Sequence, residues 1–250
     1  MTQFSGGKTV FGASVGILML ETQFPRIPGD IGNATTWPFP VHYRVVRGAT
    51  PDNVVRDDPR KLVEDFIKAG RDLVSMGCDG ITTNCGFLAL IQDQIKDALG
   101  VPVATSSLMQ IPFVQAMLPS GKQVGVITIS KETLTAEHLR AAGVTDDVPV
   151  VGTDSGRCFT RDVLGDRPEI NFADCRLDLL DAANDLVTSY DNIGAIVLEC
   201  TNMVPYAADI RRLTGVPVYS IETLVTWFQA GLVPRRYPLE LDDPRLLPGT

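Results

Sequence analysis

Three observations predict an α/β fold built from two pseudo-symmetric halves. Short apolar runs of strand length alternate with amphipathic helical stretches along most of the 250 residues, the pattern of parallel sheets with right-handed crossovers. Two of those runs end on a thiol, Gly80-Ile81-Thr82-Thr83-Asn84-Cys85-Gly86 and Ala195-Ile196-Val197-Leu198-Glu199-Cys200-Thr201-Asn202, with the cysteines 115 positions apart. Gly100-Val101-Pro102-Val103 then returns as Gly215-Val216-Pro217-Val218, again 115 positions on. Two unrelated strands would not be expected to share an offset twice, so the chain reads as an internal duplication with one cysteine per half.

The elements follow in order. Val15–Leu20 is a fully apolar run, as expected of a parallel strand covered on both faces, and Val124–Ile129 is its counterpart. From Thr22 to Pro40 the chain carries Pro25, Pro28, Gly29, Gly32, Pro38 and Pro40, which excludes a regular helix. The second half offers a helix at the same place, Lys131 to Ala142, closed by Gly143. A long loop where the twin has a helix is a candidate lid or specificity loop. A strand over Val41–Val46 precedes Asp58-Pro59, an N-cap with proline at the first helical position, and an apolar stripe through Leu62, Phe66, Ile67, Leu73 and Val74. After the first cysteine strand come a helix from about Phe87 to Leu99, a strand over Val101–Ala104 and a helix from about Ser107 to Leu118. The second half repeats this: strand Val148–Gly152, helix near Asp174–Tyr190, the second cysteine strand, helix Met203–Leu213, strand Val216–Tyr219 and helix Glu222–Gly231. Each half is therefore expected to be a doubly wound, flavodoxin- or Rossmann-like unit of about four parallel strands. The halves span 12–119 and 120–220; the final helix, 221–233, is free to pack on the first half, and 234–250 reads as an extended arm.

Composition narrows the function classes. With 44% apolar residues the chain can bury a substantial core, and a net charge of −8 argues against nucleic acid as a partner. The longest uncharged stretch, Ala98–Gly121, is broken by three prolines and several polar residues, so no membrane span is expected. No secretory leader pattern is visible, which points to the cytoplasm. Five cysteines without CxxC or Cys/His spacing suggest neither a disulfide framework nor a metal site. No cofactor is implied, the expected partner is a small-molecule carboxylate, and a homo-oligomer is expected.

Chemistry is expected where the cysteines stand. In open parallel sheets, ligands collect beyond the carboxyl ends of the strands, and both Cys85 and Cys200 occupy such an end before a helix start. A helix N-terminus lowers a thiol's pKa and binds anions, so each half is expected to offer an activated thiol beside a carboxylate-sized site. If the halves face one another, two thiols approach one ligand from opposite sides, which suits taking a proton from one face of a carbon and returning one to the other. The developing enolate-like charge would be held by Asn84, Gly86, Thr201, Asn202 and their backbone N–H groups. Alternatives stand beside these roles. Asn84 is equally suited to capping the next helix, and Thr128 and Ser130 either cap a helix at Lys131 or reach the ligand. Glu199 is as suited to supporting Cys200 from behind as to catalysis, since strand alternation aims neighbours to opposite faces. Cys78, Cys158 and Cys175 read as core packing. Neither His42 nor His138 falls at a cysteine-type strand end, which disfavours a Cys-His pair.

At Thr83-Asn84-Cys85-Gly86, at Glu199-Cys200-Thr201-Asn202 and at the Gly-Val-Pro-Val strands, the chain resembles the aspartate/glutamate racemase superfamily, which includes hydantoin racemases, maleate isomerases and arylmalonate decarboxylases. The resemblance covers roughly Val15–Leu232 and implies a site between the halves with one catalytic thiol from each. It also implies, by analogy, ligand contacts from Thr22, Gln23, Arg26 and Thr83. Members with both thiols are typically racemases, epimerases or cis-trans isomerases, whereas the decarboxylases keep the second alone. The chain departs from glutamate racemases, which have Asn-Thr after the first cysteine and His where Asn202 stands, so glutamate is disfavoured as substrate.

Three functions compete at this stage. The leading one is a cofactor-independent racemase or epimerase of a small carboxylate or amino-acid-like compound, with Cys85 and Cys200 as the acid/base pair. The second is a cis-trans isomerase, lyase or decarboxylase using one cysteine on the same scaffold. The third is a binding protein that does no chemistry.

Overall fold

The structure is a computed structural model that describes residues 6–237; the expected C-terminal arm lies mostly outside the described residues. Two four-stranded parallel sheets form its frame. The first has the order β2-β1-β3-β4 and the second β6-β5-β7-β8, the same topology twice. The strands are β1 (Val15–Leu20), β2 (Val41–Val46), β3 (Gly80–Thr83), β4 (Val103–Ala104), β5 (Gln123–Thr128), β6 (Val150–Gly152), β7 (Ile193–Leu198) and β8 (Val218–Tyr219). The helices around them are α1 (Pro51–Val55), α2 (Val63–Ser75), α3 (Gln92–Leu99), α4 (Ile111–Met117), α5 (Ala136–Ala141), α6 (Phe159–Leu164), α7 (Phe172–Ser189), α8 (Ala207–Thr214) and α9 (Ile221–Leu232). None of these helices is long and apolar enough to cross a membrane.

The repeated tetrapeptide has a backbone cause. Gly100 and Gly215 close α3 and α8 in the left-handed conformation, with φ of 65° and 76°, where a side chain would be strained. Each donates its N–H back to the helix, to Lys96 O and Arg211 O, and the Val-Pro that follows cannot continue a helix and enters the next strand. Gly16 and Gly125 are a second matched pair. A Cβ on Gly16 would lie 2.8 Å from Ile81 and one on Gly125 2.8 Å from Leu186, so glycine lets the layers close at equivalent points of both central strands.

Several helices start later than the sequence pattern suggests. The stretches 87–99 and 107–118 open as 3-10 turns, Gly86–Ile91 and Ser107–Gln110, before becoming α-helical. Pro112 lies at the start of α4, where its missing N–H costs nothing. The expected helix at Lys131–Ala142 shortens to α5, because Thr135 and His138 form a reciprocal cap that sets its start. α1 and α6 are additional. α1 carries the signal that marked Asp58-Pro59, a Thr50 cap followed by Pro51. α6 is capped from elsewhere: the Asp178 carboxylate on α7 accepts the N–H groups of Arg157 (2.6 Å), Cys158 (2.8 Å) and Phe159 (2.9 Å).

One apolar core runs through both halves, and a second cluster covers the outer face of the first sheet. There Ile221, Leu224 and Val225 of α9 join Val15, Ile17, Met19 and Ala104, so the last helix returns to the first sheet. The seam between the halves is hydrogen-bonded where it is buried. Ser107 Oγ–H donates to Leu198 O (2.6 Å), and Thr201 Oγ1–H donates to Asn84 O (2.6 Å).

Asp178 carries a testable consequence. Burial raises its pKa, but the three N–H groups and the Arg157 guanidinium outweigh this and leave it below the usual carboxylate value. A depressed carboxylate pKa stabilises the fold above the unfolded value and loses that contribution as pH falls through the folded one. Asp178→Ala is expected to lower stability by about 3 kcal/mol at neutral pH, read by urea denaturation, with the difference from the parent shrinking toward strongly acidic pH.

Candidate active site

The duplicated topology brings the two thiols to equivalent places. Leu18 pairs with Thr83 and Ile127 with Leu198, so Cys85 and Cys200 each lie two residues beyond the last paired position of β3 and β7. Both line one narrow cleft at the junction of the sheets, with a cavity volume of about 20 Å³, roughly the room of a single water molecule. Its walls are Pro51 and Val55 of α1, Val163 and Leu164 of α6, and Leu20, Thr22, Phe24 and Arg26 of the first strand and its loop. Asn84, Ile129, Glu199 and Asn202 complete it.

The Thr22–Pro40 loop is folded onto the protein. Ile31 is fully buried with Trp37 against the first sheet's outer face, and the Trp37 indole N–H donates to Ile31 O. Asn33 caps a 3-10 turn, Ala34–Thr36, and its amide donates to Arg26 O (2.9 Å). This aims Arg26 inward. Its guanidinium donates to Asp30 Oδ1 (2.7 Å) and Thr22 Oγ1 (3.0 Å), over the Phe24 ring. Asp30 Oδ2 then accepts from Asn202 Nδ2 (2.5 Å), and Asn202 Oδ1 accepts from the Cys200 thiol (3.4 Å). A continuous polar chain therefore runs from the loop of the first half to the thiol of the second.

Other expected site residues have different duties. Asn84 is buried, and its Oδ1 accepts from Leu20 N–H (2.7 Å), so it ties β3's end to β1 instead of capping a helix. The Thr83 hydroxyl donates to Thr105 O and Thr201 to Asn84 O, backbone duties outside the cleft lining. Gln23 is exposed; its N–H donates across the seam to Asp166. Thr128 does not cap a helix: its hydroxyl donates to Glu199 Oε2 (2.9 Å), while Ser130 is buried with its N–H toward Thr128. Gly86 is required by a close approach, since a Cβ there would stand 2.3 Å from Glu199 Oε1 and 2.6 Å from Glu199 O.

Glu199 is the residue that alternation leaves undecided. β7 ends at Leu198, so the strand rule no longer applies at Glu199 and both its side chain and that of Cys200 reach the cleft. Its exposure is 1%, and Oε1 has no hydrogen-bond partner. Burial pushes its pKa up to about 7 against the Thr128 hydroxyl and the Ile129 N–H. Asp30 is the other residue that motif spacing overlooked, although its position four residues after Arg26 is the spacing of a helical-turn ion pair.

The thiols are not activated by their surroundings, contrary to the expectation from their positions. Burial pushes Cys85 up to about 12, with the Glu199 carboxylate adding and the Phe87 and Leu88 N–H groups opposing. Burial and Glu199 also raise Cys200 well above an ordinary thiol. The segments that follow are 3-10 turns, Gly86–Ile91 and Thr201–Tyr206, too short and too poorly aligned to supply a strong dipole. The site holds two protonated thiols around a carboxylate near neutrality, an arrangement that can move protons once a ligand changes the local charge. Cys78, Cys158 and Cys175 are buried away from it, and Cys158 and Cys175 touch each other at 3.2 Å.

No protein-family model matches the chain. It is 25% identical over 241 residues to a dimethylsulfoniopropionate lyase of Durusdinium sp. clade D, covering 93% of this chain and 77% of that protein. It is 29% identical over 243 residues to dimethylsulfoniopropionate lyase 7 of Emiliania huxleyi, covering 93% and 68%. Among solved structures it is similar to a glycine-to-cysteine variant of arylmalonate decarboxylase in a sulfate-associated form, with a TM-score of 0.59 at 15% identity over 87% of this chain and 92% of that one. A glutamate racemase from Bacillus anthracis gives 0.56 at 15% identity, covering 88% and 82%. An allantoin racemase from Pseudomonas fluorescens gives 0.52 at 17%, covering 90% and 99%. This chain, with its two like four-stranded parallel sheets, thus shares the fold of arylmalonate decarboxylase, glutamate racemase and allantoin racemase.

Proposed function

We propose that this chain is a cofactor-independent enzyme that removes a proton beside the carboxylate of a small substrate, and that the reaction is elimination of a neutral sulfide from a sulfonium carboxylate such as dimethylsulfoniopropionate. The observation that carries the proton abstraction is the meeting of Cys85 and Cys200 in one cleft, one from each half. The relatives that align over 93% of the chain are lyases of that compound, which supports elimination over inversion.

In the proposed reaction a cysteine thiolate takes the proton on the carbon next to the carboxylate. The electron pair left behind forms the carbon–carbon double bond, and the carbon–sulfur bond breaks with its pair going to sulfur. Dimethyl sulfide and acrylate depart, and the thiol returns its proton to water. The leaving group is neutral, so no acid is needed and one base suffices. The sulfonium also bears on the thiol problem: a positive charge entering beside Glu199 offsets the carboxylate that helps hold both thiols protonated. Asn84 Nδ2 and the guanidinium of Arg26 are the donors on the cleft wall for a substrate carboxylate and its enolate-like successor. Five free thiols suit a reducing compartment, and we place the enzyme in the cytoplasm.

Inversion at a stereogenic carbon is the second reading, favoured by the presence of a thiol on each side, because it needs a base on one face and an acid on the other. Serine replacements separate the two. Under elimination, one of Cys85→Ser and Cys200→Ser is expected to lose at least about a hundredfold in sulfide release, measured in headspace gas, while the other keeps a substantial fraction. Absence of sulfide from the parent, together with deuterium incorporation and inversion of a chiral carboxylate that needs both thiols, would replace the lyase with a racemase. Gly86→Ala drives a methyl group against Glu199 and its carbonyl. It is expected to cost about 1–3 kcal/mol in thermal or urea unfolding and to cut turnover at saturating substrate by at least about tenfold.

A further inference from the structure

Among the residues lining the cleft, two carry charge: Arg26 and Glu199. They differ in what they are already bonded to. Arg26 spends donors on Asp30 and Thr22, and the Arg26–Asp30 ion pair is itself nearly buried, at 11% and 5% side-chain exposure. Glu199 has one oxygen satisfied by Thr128 and Ile129, while the other, Oε1, is buried and has no partner. A buried carboxylate oxygen without a donor is costly to keep. Oε1 packs beside Gly86, and the apolar side chains of the cleft that Glu199 lines, Leu20, Phe24, Val55, Ile129, Val163 and Leu164, offer nothing to satisfy it. A bound group that supplies positive charge there would remove the cost, and a sulfonium or quaternary ammonium can do so without donating a hydrogen bond.

We infer that Glu199 is the counter-ion for the positive end of a zwitterionic substrate, so that this carboxylate selects onium carboxylates over carboxylates of the same shape that lack the positive charge. The inference deepens the lyase reading and rests on it for the kind of cation; the cleft's charge pattern supplies the rest. Selection follows from placing a carboxylate in a dry pocket, where an opposite charge is worth more than in water and an isostere lacking the positive charge leaves the carboxylate unpaired. The groups that face Glu199 are the thiols of Cys85 and Cys200, with Arg26 and Asp30 beyond them on the loop. The thiols lie far above neutrality, so across the neutral range Glu199 is the titrating group of this cluster. The cation needs the ionised carboxylate. Preference for it therefore rises with pH through about 7 and levels off above.

The test uses two probes and reads binding, because replacing Glu199 also changes the charge beside both thiols and would confuse turnover. One probe is trimethylammoniopropanoate, whose amine is a poorer leaving group than dimethyl sulfide and whose charge does not titrate. The other is its isostere with carbon in place of nitrogen, which keeps the carboxylate and lacks the positive charge. Calorimetry on the full chain is expected to show the cation binding at least about tenfold tighter than the isostere at pH 8, with the ratio falling several-fold by pH 6. In Glu199→Gln the ratio is expected to fall to about one and to lose its pH dependence. A ratio unchanged in Glu199→Gln overturns the assignment, as does a pH-independent ratio in the parent, and the parent profile decides even if the variant does not fold. Sulfide release from the parent without the preference defeats the assignment and leaves the lyase intact. The preference without sulfide release from dimethylsulfoniopropionate leaves the site intact and defeats the lyase.

Discussion

The site depends on one constraint: the carboxyl ends of two separate parallel sheets must meet with their backbones dry and satisfied. Strand ends carry unpaired peptide groups, and burying them unpaired would cost more than a small domain can spare. Hydroxyls across the seam resolve this. Thr201 of the second half bonds the carbonyl of Asn84 in the first, and Ser107 of the first bonds the carbonyl of Leu198 in the second. Each bond ends next to a cysteine-bearing turn, so the contacts that close the seam also set where the thiols stand. The return of α9 to the first sheet adds an apolar tie between the halves.

With the seam closed, the electrostatics follow from burial. Two thiols and a carboxylate occupy one small volume, and each negative charge raises the cost of the next. Burial and the neighbouring carboxylate therefore keep the thiols protonated, the opposite of what a position before a helix suggests. The Arg26–Asp30–Asn202 chain places the Thr22–Pro40 loop in the same network, running from the first half's loop to the second half's thiol.

Much of this was legible in the residues. The paired cysteines, their shared offset and the Gly-Val-Pro-Val repeats specify the duplicated sheets, because a left-handed helix end, a proline stop and a buried strand each demand particular residues locally. The unhelical loop at Thr22–Pro40 was equally plain from its prolines and glycines. Apart from α1, whose Thr50-Pro51 start is local, what escaped were features whose cause lies far along the chain. α6 is capped by Asp178, an acid some twenty positions away. Asn84 has the composition of a cap, yet its oxygen serves Leu20 of a neighbouring strand.

Local backbone preference is encoded residue by residue, so the sequence by itself determined the strand order, most of the helices, the duplication and the pair of strand-end thiols. The tertiary structure alone decided how those thiols ionise, that Glu199 turns into the cleft once its strand has ended, and that Arg26 meets Asp30 before it meets a ligand. Burial and partner distance set these properties, and both arise only when segments remote in sequence are packed together.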